Sequence, residues 1–306
     1  MQSFQHEALL YAGEEGFLAG TVPFIRSAVA AGEPILVVVG ARKIARLREA
    51  LDPDAESVRF ADMAAVGENP ARIIPAWAEF VREHAGRPVR GIGEPIGPDR
   101  RAAELVECHR HEALLNVAFA DTPAFTLLCP YDTEQLDASV IAEAQCTHPY
   151  VRRGGVARES PRYGGVRAAA APFAERLPEP PKAVAELPFD LRALSGLRTT
   201  VAMLARAAGM TPARVEDLVL AVSEVTANSV RHGGGRGVLR VWEDDAALVC
   251  EVRDRGRFAD PLAGRRHPED GQQGGYGLWI ANQLCELVQV RTFATGSVVR
   301  LHMRLA

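Results

Sequence analysis

LVLAVSEVTANSVRHGG, residues 218–234, is the stretch whose reading decides the fold of the C-terminal part of this chain. Its apolar residues follow a helical period, and Thr211-Pro212 upstream supplies an N-cap and a first helical position. The glycines at 233–235 end it. Glu224, Asn228 and His232 stand at i, i+4 and i+8, so they share one helix face. A carboxylate and an amide one turn apart suit a magnesium-nucleotide site. The amide oxygen can ligate Mg²⁺, and the carboxylate can take a proton from an attacking hydroxyl. Taken alone, the same stripe equally describes a solvated polar face.

Outward from this helix, GVLRVWED and ALVCEVRD read as two strands of a hairpin turning at Asp244-Asp245. The second strand runs into VRDRGRF. There Asp254 can accept from an adenine amino group, and Gly256 lets backbone approach a flat ring. In GGYGLWIANQLCE, Gly274, Gly275 and Gly277 open a helix over about 277–286. Exposed N–H groups at such a start favour anions, although turns and helix ends use glycine for other reasons. LVQVRTFA and SVVRLHMRL close the chain as strands. Upstream, AVAELPFD reads as a strand and Asp190 to Ala208 as an amphipathic helix ended by Gly209. Strands and helices are segregated, which predicts an α+β layer.

The joint order of these segments resembles the GHKL (Bergerat) ATPase superfamily over about residues 185–306, and within it the compact anti-sigma-factor serine kinases. AVSEVTANSVRHG is similar to their N-box, DRGRF to their adenine-binding box and GGYGLWIANQLCE to their second glycine box. The resemblance implies a histidine-kinase-like ATPase sandwich that binds ATP with Mg²⁺. It places Mg²⁺ on Asn228 and makes Glu224 the candidate base. Asp254 would contact adenine with Gly256 beside it, Gly275, Gly277 and Leu278 would lie on the triphosphate side, and 258–274 would form a lid. It implies phosphorylation of a serine or threonine on an anti-anti-sigma (STAS-type) partner, with or without sequestration of a sigma factor. Arg257 departs from the pattern where many relatives carry glycine, and Ser297 where threonine is common. Two alternatives stand beside this reading: a non-catalytic, ATP-gated binding module, and a histidine kinase of a two-component system. The segment 190–208 contains no histidine, so a hydroxyl on a separate protein is the more natural acceptor.

The first half alternates strands (HEALLYA, PILVVV, SVRFAD, VRGIG, AFTLLCP) with helical patterns at about 15–31, 41–51, 70–85, 99–118 and 133–145. Such repetition predicts an α/β domain over 1–150 with a mostly parallel sheet. PILVVVGARKIARL has no phosphate-binding GxxxxGK[ST]. HEALLYAGEEGFLAGTVPFIRSAVAAGEPILVVV, with GIGEPIGPDRRAAELVECHRHEALLN and TLLCPYDT, resembles the MEDS sensory domain. That resemblance implies a RecA-like core without a working Walker motif and an unidentified small-molecule signal. Ligands of parallel sheets sit beyond the strands' carboxyl ends. Among the polar residues there, Glu94 is the candidate ligand contact, whereas Glu14, Glu15 and Asp62 read as caps and turns. Cys108-His109-Arg110-His111 and Cys146-Thr147-His148 fit no structural zinc spacing and read as ordinary helix and loop residues.

At 306 residues the chain has room for two domains. Residues 151–182, rich in Arg, Gly, Pro and Ala, read as an exposed linker with a short helix near Ala168 to Arg176. The second domain is then 183–306. A formal net charge of -4 argues against general nucleic-acid or membrane-surface binding. Five cysteines without a CxxC pair read as free thiols in a reducing compartment. The chain opens on MQSFQHEALLYAGEEG, without a signal-peptide pattern, and a cytoplasmic location is expected. Relatives commonly form homodimers; these residues do not decide that state.

Overall fold

The computed structural model describes residues 4–165, 175–180, 185–244, 247–268 and 275–305. The chain divides into two compact units, Met1–Ala169 and Ala170–Ala306.

In the first unit, β1 (Gln5–Tyr11), β2 (Ile35–Val39), β3 (Arg59–Asp62), β4 (Val89–Gly93) and β5 (Phe125–Asp132) are joined by β6 (Tyr150–Arg153) and β7 (Val156–Glu159). They form one seven-stranded sheet in the order β3-β2-β4-β5-β1-β6-β7. Every pairing is parallel except that of β6 with β7. Helices α1 (Gly13–Ala30), α2 (Ala41–Leu51), α3 (Met63–Val66), α4 (Ile73–Glu83), α5 (Ala102–Ala118) and α6 (Ala138–Thr147) connect the strands. Every residue of β2, Ile-Leu-Val-Val-Val, is buried, as expected for a strand covered on both faces. One core joins Leu9, Phe17, Ile25, Val37, Leu47 and Leu128. HEALLY at 6–11 lies within β1 and HEALLN at 111–116 within α5, so the likeness of these hexapeptides is no repeat.

The linker expectation needs correction at both ends. Residues 150–159 are sheet, not linker. β6 pairs with β1, and the Arg152 guanidinium reaches the Glu7 carboxylate at 2.7 Å. Gly154-Gly155, both at positive φ (53° and 82°), makes the turn into β7. All four β7 residues are exposed, so an edge strand of this kind leaves no apolar alternation in the sequence. At the other end, residues 175–180 already belong to the second unit. Leu177 is buried, the Pro178 carbonyl accepts from Arg300 at 2.7 Å, and Glu179 pairs with Arg240 and Arg253. The short helix expected near Ala168 to Arg176 falls mostly on residues 166–174, outside the described residues.

The second unit contains β8 (Ala185–Asp190), α7 (Leu194–Ala207), α8 (Pro212–His232), β9 (Arg236–Asp244), β10 (Ala247–Asp254), α9 (Tyr276–Leu284), β11 (Leu287–Phe293) and β12 (Gly296–Arg304). Its sheet runs β11-β12-β10-β9-β8, antiparallel throughout. β9 and β10 pair with Asp244 opposite Ala247; Asp245 of the expected turn lies outside the described residues. Leu248, Cys250 and Val252, at period two along β10, join one core with Leu218, Val222 and Val225 of α8 and Leu278 and Ala281 of α9. Residues of the opposite parity on this sheet include Glu251, buried and paired with Arg300 at 2.6 Å, and Trp242, over whose ring the Arg300 guanidinium lies. No helix of the described residues is long and apolar enough to cross a membrane. All five cysteines are free thiols.

Candidate functional site

The longest helix of the second unit sets the site. Thr211 caps α8, its hydroxyl accepting from the Arg214 N–H at 3.4 Å, and Pro212 takes the first position. Val215, Leu218, Val222 and Val225 bury one face of α8. That burial turns the Glu224–Asn228 stripe toward the start of α9, where both side chains are half-buried.

Gly277 shows how close the two helices come. A Cβ at that position would stand 2.4 Å from Asn228 Nδ2 and 3.2 Å from Glu224 Oε2. Any side chain there would displace the amide, so the glycine is required by close approach. Gly275, the residue before the helix, is at φ 90° in the left-handed region. Among the described residues no side chain caps α9, and its first turn carries no acid. The leading N–H groups of this nine-residue helix are therefore available to an anion.

Asp254 ends β10 and is held by three donors. Its Oδ1 accepts from the Gly256 N–H at 2.8 Å and from the Ser297 hydroxyl at 2.7 Å. Its Oδ2 accepts from the Ser229 hydroxyl at 2.5 Å. A carboxylate has about four lone-pair sites, so the fixed group keeps acceptor capacity for one further donor. Ser229 follows Asn228 in sequence, and Ser297 opens β12 beside the end of β10, where Asp254 pairs with Ser297. The sequence marks Ser297 only as a departure from threonine and says nothing of Ser229. The register of three elements is what joins both to Asp254.

These groups face one cavity of about 500 Å³, within the size range of small-molecule sites. Asn228, Asp254, Gly256, Gly275 and Leu278 line it, with Phe258, Leu262 and Gly264. Glu224 and Gly277 stand behind its wall, in the contact between α8 and α9. Arg231, Arg266 and His267 also border the cavity, and the two arginines bring positive charge to its rim. Residues 258–268 cross it, tied to α9 where Asn282 Nδ2 donates to the Gly264 carbonyl at 2.9 Å. Of the expected lid, 269–274 lie outside the described residues, Gly274 among them. The Arg257 side chain reaches the Ala294 carbonyl at 2.6 Å, a tie to the turn between β11 and β12.

In the first unit, Glu94 follows β4 and is engaged on both oxygens. Lys43 Nζ donates to them at 2.6 and 2.7 Å, and the Tyr11 hydroxyl donates to one at 2.7 Å. Burial raises the Glu94 carboxyl above its ordinary range, against the opposing pull of Lys43. Burial and then Glu94 raise the Tyr11 phenol. Asp62 caps α3, accepting from the Ala64 N–H at 3.0 Å. Glu14 is exposed and pairs with Arg46 and Arg42, with the Arg46 bond foremost in lowering its carboxyl.

Residues 5–149 match the family model of MEDS, the MEthanogen/methylotroph, DcmR Sensory domain. Residues 187–303 match that of the histidine kinase-like ATPase domain. The chain carries a MEDS domain followed by a histidine kinase-like ATPase domain. Within the ATPase domain, the serine-protein kinase RsbW of Halalkalibacterium halodurans is 30% identical over 109 residues. That match takes in 31% of this chain and 66% of RsbW, just short of two thirds of the relative's length. A crystal structure of the RsbU and RsbW domains of Rv1364c from Mycobacterium tuberculosis aligns with 40% of this chain and 33% of its own, at 22% identity and a TM-score of 0.31. The chain thus has a serine-protein kinase as a relative, and the ATPase domain is the one that holds the cavity and its converging polar groups.

Proposed function

We propose that the ATPase domain binds Mg-ATP and transfers the γ-phosphoryl group to a serine or threonine of a separate STAS-type anti-anti-sigma protein. The observation that carries this reading is the meeting of three features at one cavity: the Asn228 amide, with Glu224 one turn behind it, the anchored Asp254 carboxylate and the start of α9 at Gly275. Asp254, held rigid by Ser229, Ser297 and Gly256, accepts from the adenine amino group with its remaining capacity. The leading N–H groups of α9 and the backbone at Gly275 cradle phosphate oxygens. Gly277 and Leu278 keep that turn close to Asn228. The Asn228 amide oxygen supplies a protein ligand for Mg²⁺, which when bound neutralises charge on the phosphates. Glu224, one turn earlier on α8, takes the proton of the acceptor hydroxyl or orients it. Arg231 and Arg266 bring cationic groups to the cavity rim.

The MEDS domain would then supply the input, with a RecA-like parallel core and a small-molecule signal read near Glu94. Glu94 already accepts three hydrogen bonds from Lys43 and Tyr11, so a ligand there meets one remaining acceptor position or exchanges with one of these donors.

Titration calorimetry with Mg-ATP, followed by transfer of labelled phosphate to a panel of STAS-type proteins, tests the reading. The wild-type chain should bind ATP and label a serine or threonine. Glu224→Ala should keep binding and lose about 10²–10⁴-fold in transfer. Absence of nucleotide binding would end the proposal. Binding without transfer to any partner would favour an ATP-gated sequestration module, and acid-labile phosphate on this chain would favour a histidine kinase.

A further inference from the structure

Four side chains that no part of the proposed function uses meet inside the MEDS domain. His6 lies on β1, Cys129 on the neighbouring strand β5, Glu112 on α5, and His148 directly after α6. All four are buried, three of them without any exposed surface. One ligand atom from each lies within 4.8 Å of the others. His6 Nε2 stands 3.1 Å from Glu112 Oε2 and 3.3 Å from Cys129 Sγ, and His148 Nε2 stands 3.3 Å from the same Glu112 oxygen.

The outer nitrogens fix the tautomers. His148 Nδ1 lies 2.8 Å from the Ala144 carbonyl, which can only accept, so this nitrogen carries the hydrogen. His6 Nδ1 lies 3.2 Å from Asn116 Oδ1. The Asn116 amide is oriented by its Nδ2, which donates to the Thr147 carbonyl at 2.8 Å, so His6 Nδ1 is the donor as well. With the outer nitrogens so engaged, both Nε2 atoms are aimed at one Glu112 oxygen. The Cys129 sulfur stands against the same His6 Nε2 from the neighbouring strand. Among the described residues, His148 Nε2 and Glu112 Oε1 meet no group in hydrogen-bonding geometry. Buried acceptors without donors are costly, and a cation at their centre removes that cost.

We propose that His6, Glu112, Cys129 and His148 hold a divalent transition-metal ion of the zinc class. Tetrahedral bonds of about 2.0–2.3 Å place neighbouring donor atoms about 3.3–3.8 Å apart, close to the separations seen. Two imidazoles, a thiolate and a carboxylate suit zinc and disfavour Mg²⁺ or Ca²⁺, which take oxygen sets. On binding, the Cys129 thiol releases its proton to solvent and the thiolate sulfur bonds the metal. Asn116 and the Ala144 carbonyl are positioning groups that keep the ring nitrogens aimed inward. With four protein ligands the site is closed, and it staples β1, β5, α5 and the end of α6 together.

The full chain, purified without added metal, should contain about one equivalent of zinc by mass spectrometry. After chelation, titration with Co²⁺ should give tetrahedral visible bands and a thiolate charge-transfer band. Cys129→Ser should lose the charge-transfer band, and Cys146→Ser, outside the cluster, should keep it. Asn116→Ala should weaken Co²⁺ binding about 10–100-fold. His148→Ala should abolish the bands; if that variant does not fold, the wild-type spectrum against Cys129→Ser decides the matter. Metal-free isolated protein that develops no cobalt bands would overturn the proposal, as would a charge-transfer band that survives Cys129→Ser.

Discussion

The two domains of this chain treat polar groups in opposite ways. The ATPase domain gathers Asn228, Asp254 and the start of α9 around an open cavity of about 500 Å³. It builds that cavity partly from backbone, at Gly256 and Gly275. The MEDS domain encloses its polar groups: Glu94 is locked by Lys43 and Tyr11, and the His6–Glu112–Cys129–His148 cluster is sealed in the core. A site that, as proposed, admits and releases a nucleotide needs exposed N–H groups. A site that holds a permanent partner, a lysine or a metal, gains from exclusion of water, because charge interactions strengthen there.

Three substitutions would sharpen this contrast or break it. The largest effect is expected for Trp77→Ala. Trp77 is 1% exposed, and Gly91, Gly93 and Phe125 lie against its ring. Loss of about 3–5 kcal/mol should appear in denaturant unfolding of the MEDS domain. Mg-ATP affinity of the ATPase domain should stay unchanged, and a parallel loss of affinity would show that the two domains are not separate in energy.

Lys43→Ala should cost less, about 1–3 kcal/mol at about pH 8. Glu94 has a raised folded-state value. A carboxyl of that kind contributes its stability below the unfolded carboxylate range and loses it as pH rises through the folded value. Removing Lys43 leaves this loss unopposed, so the destabilisation should shrink as pH falls toward about 5. Urea unfolding of wild type and variant across that range checks the sign; a penalty that grows in acid would contradict it.

Ser297→Ala should have the smallest effect. It removes one of three donors to Asp254, worth about 0.5–1.5 kcal/mol. ATP affinity should fall a few-fold and preference over GTP should narrow, as read by competition binding. An unchanged preference would mean that Asp254 does not read the base.

Much of the ATPase domain was legible because its chemistry lies in short, local words. Glu224 and Asn228 sit one helical turn apart, Asp254 and Gly256 end one strand, and Gly275, Gly277 and Leu278 open one helix. The edge hairpin at 150–159 was missed because an exposed strand carries no alternation. The docking of 175–180 was missed because its ties are a carbonyl and a carboxylate. Cys146 and His148 drew attention as sequence neighbours, yet the structure joins His148 to His6, Glu112 and Cys129 and leaves Cys146 outside.

By itself, then, the sequence determined the alternation of elements, the buried strand β2, the capped start of α8 and the polar stripe on that helix. These depend on periodicity and on local backbone preference, which neighbouring residues set. Only the tertiary structure decided that Ser229 and Ser297 grip Asp254 and that residues 6, 112, 129 and 148 share one buried point. Such contacts come from strand register and helix packing that join residues 25 to 123 positions apart, and no local pattern encodes them.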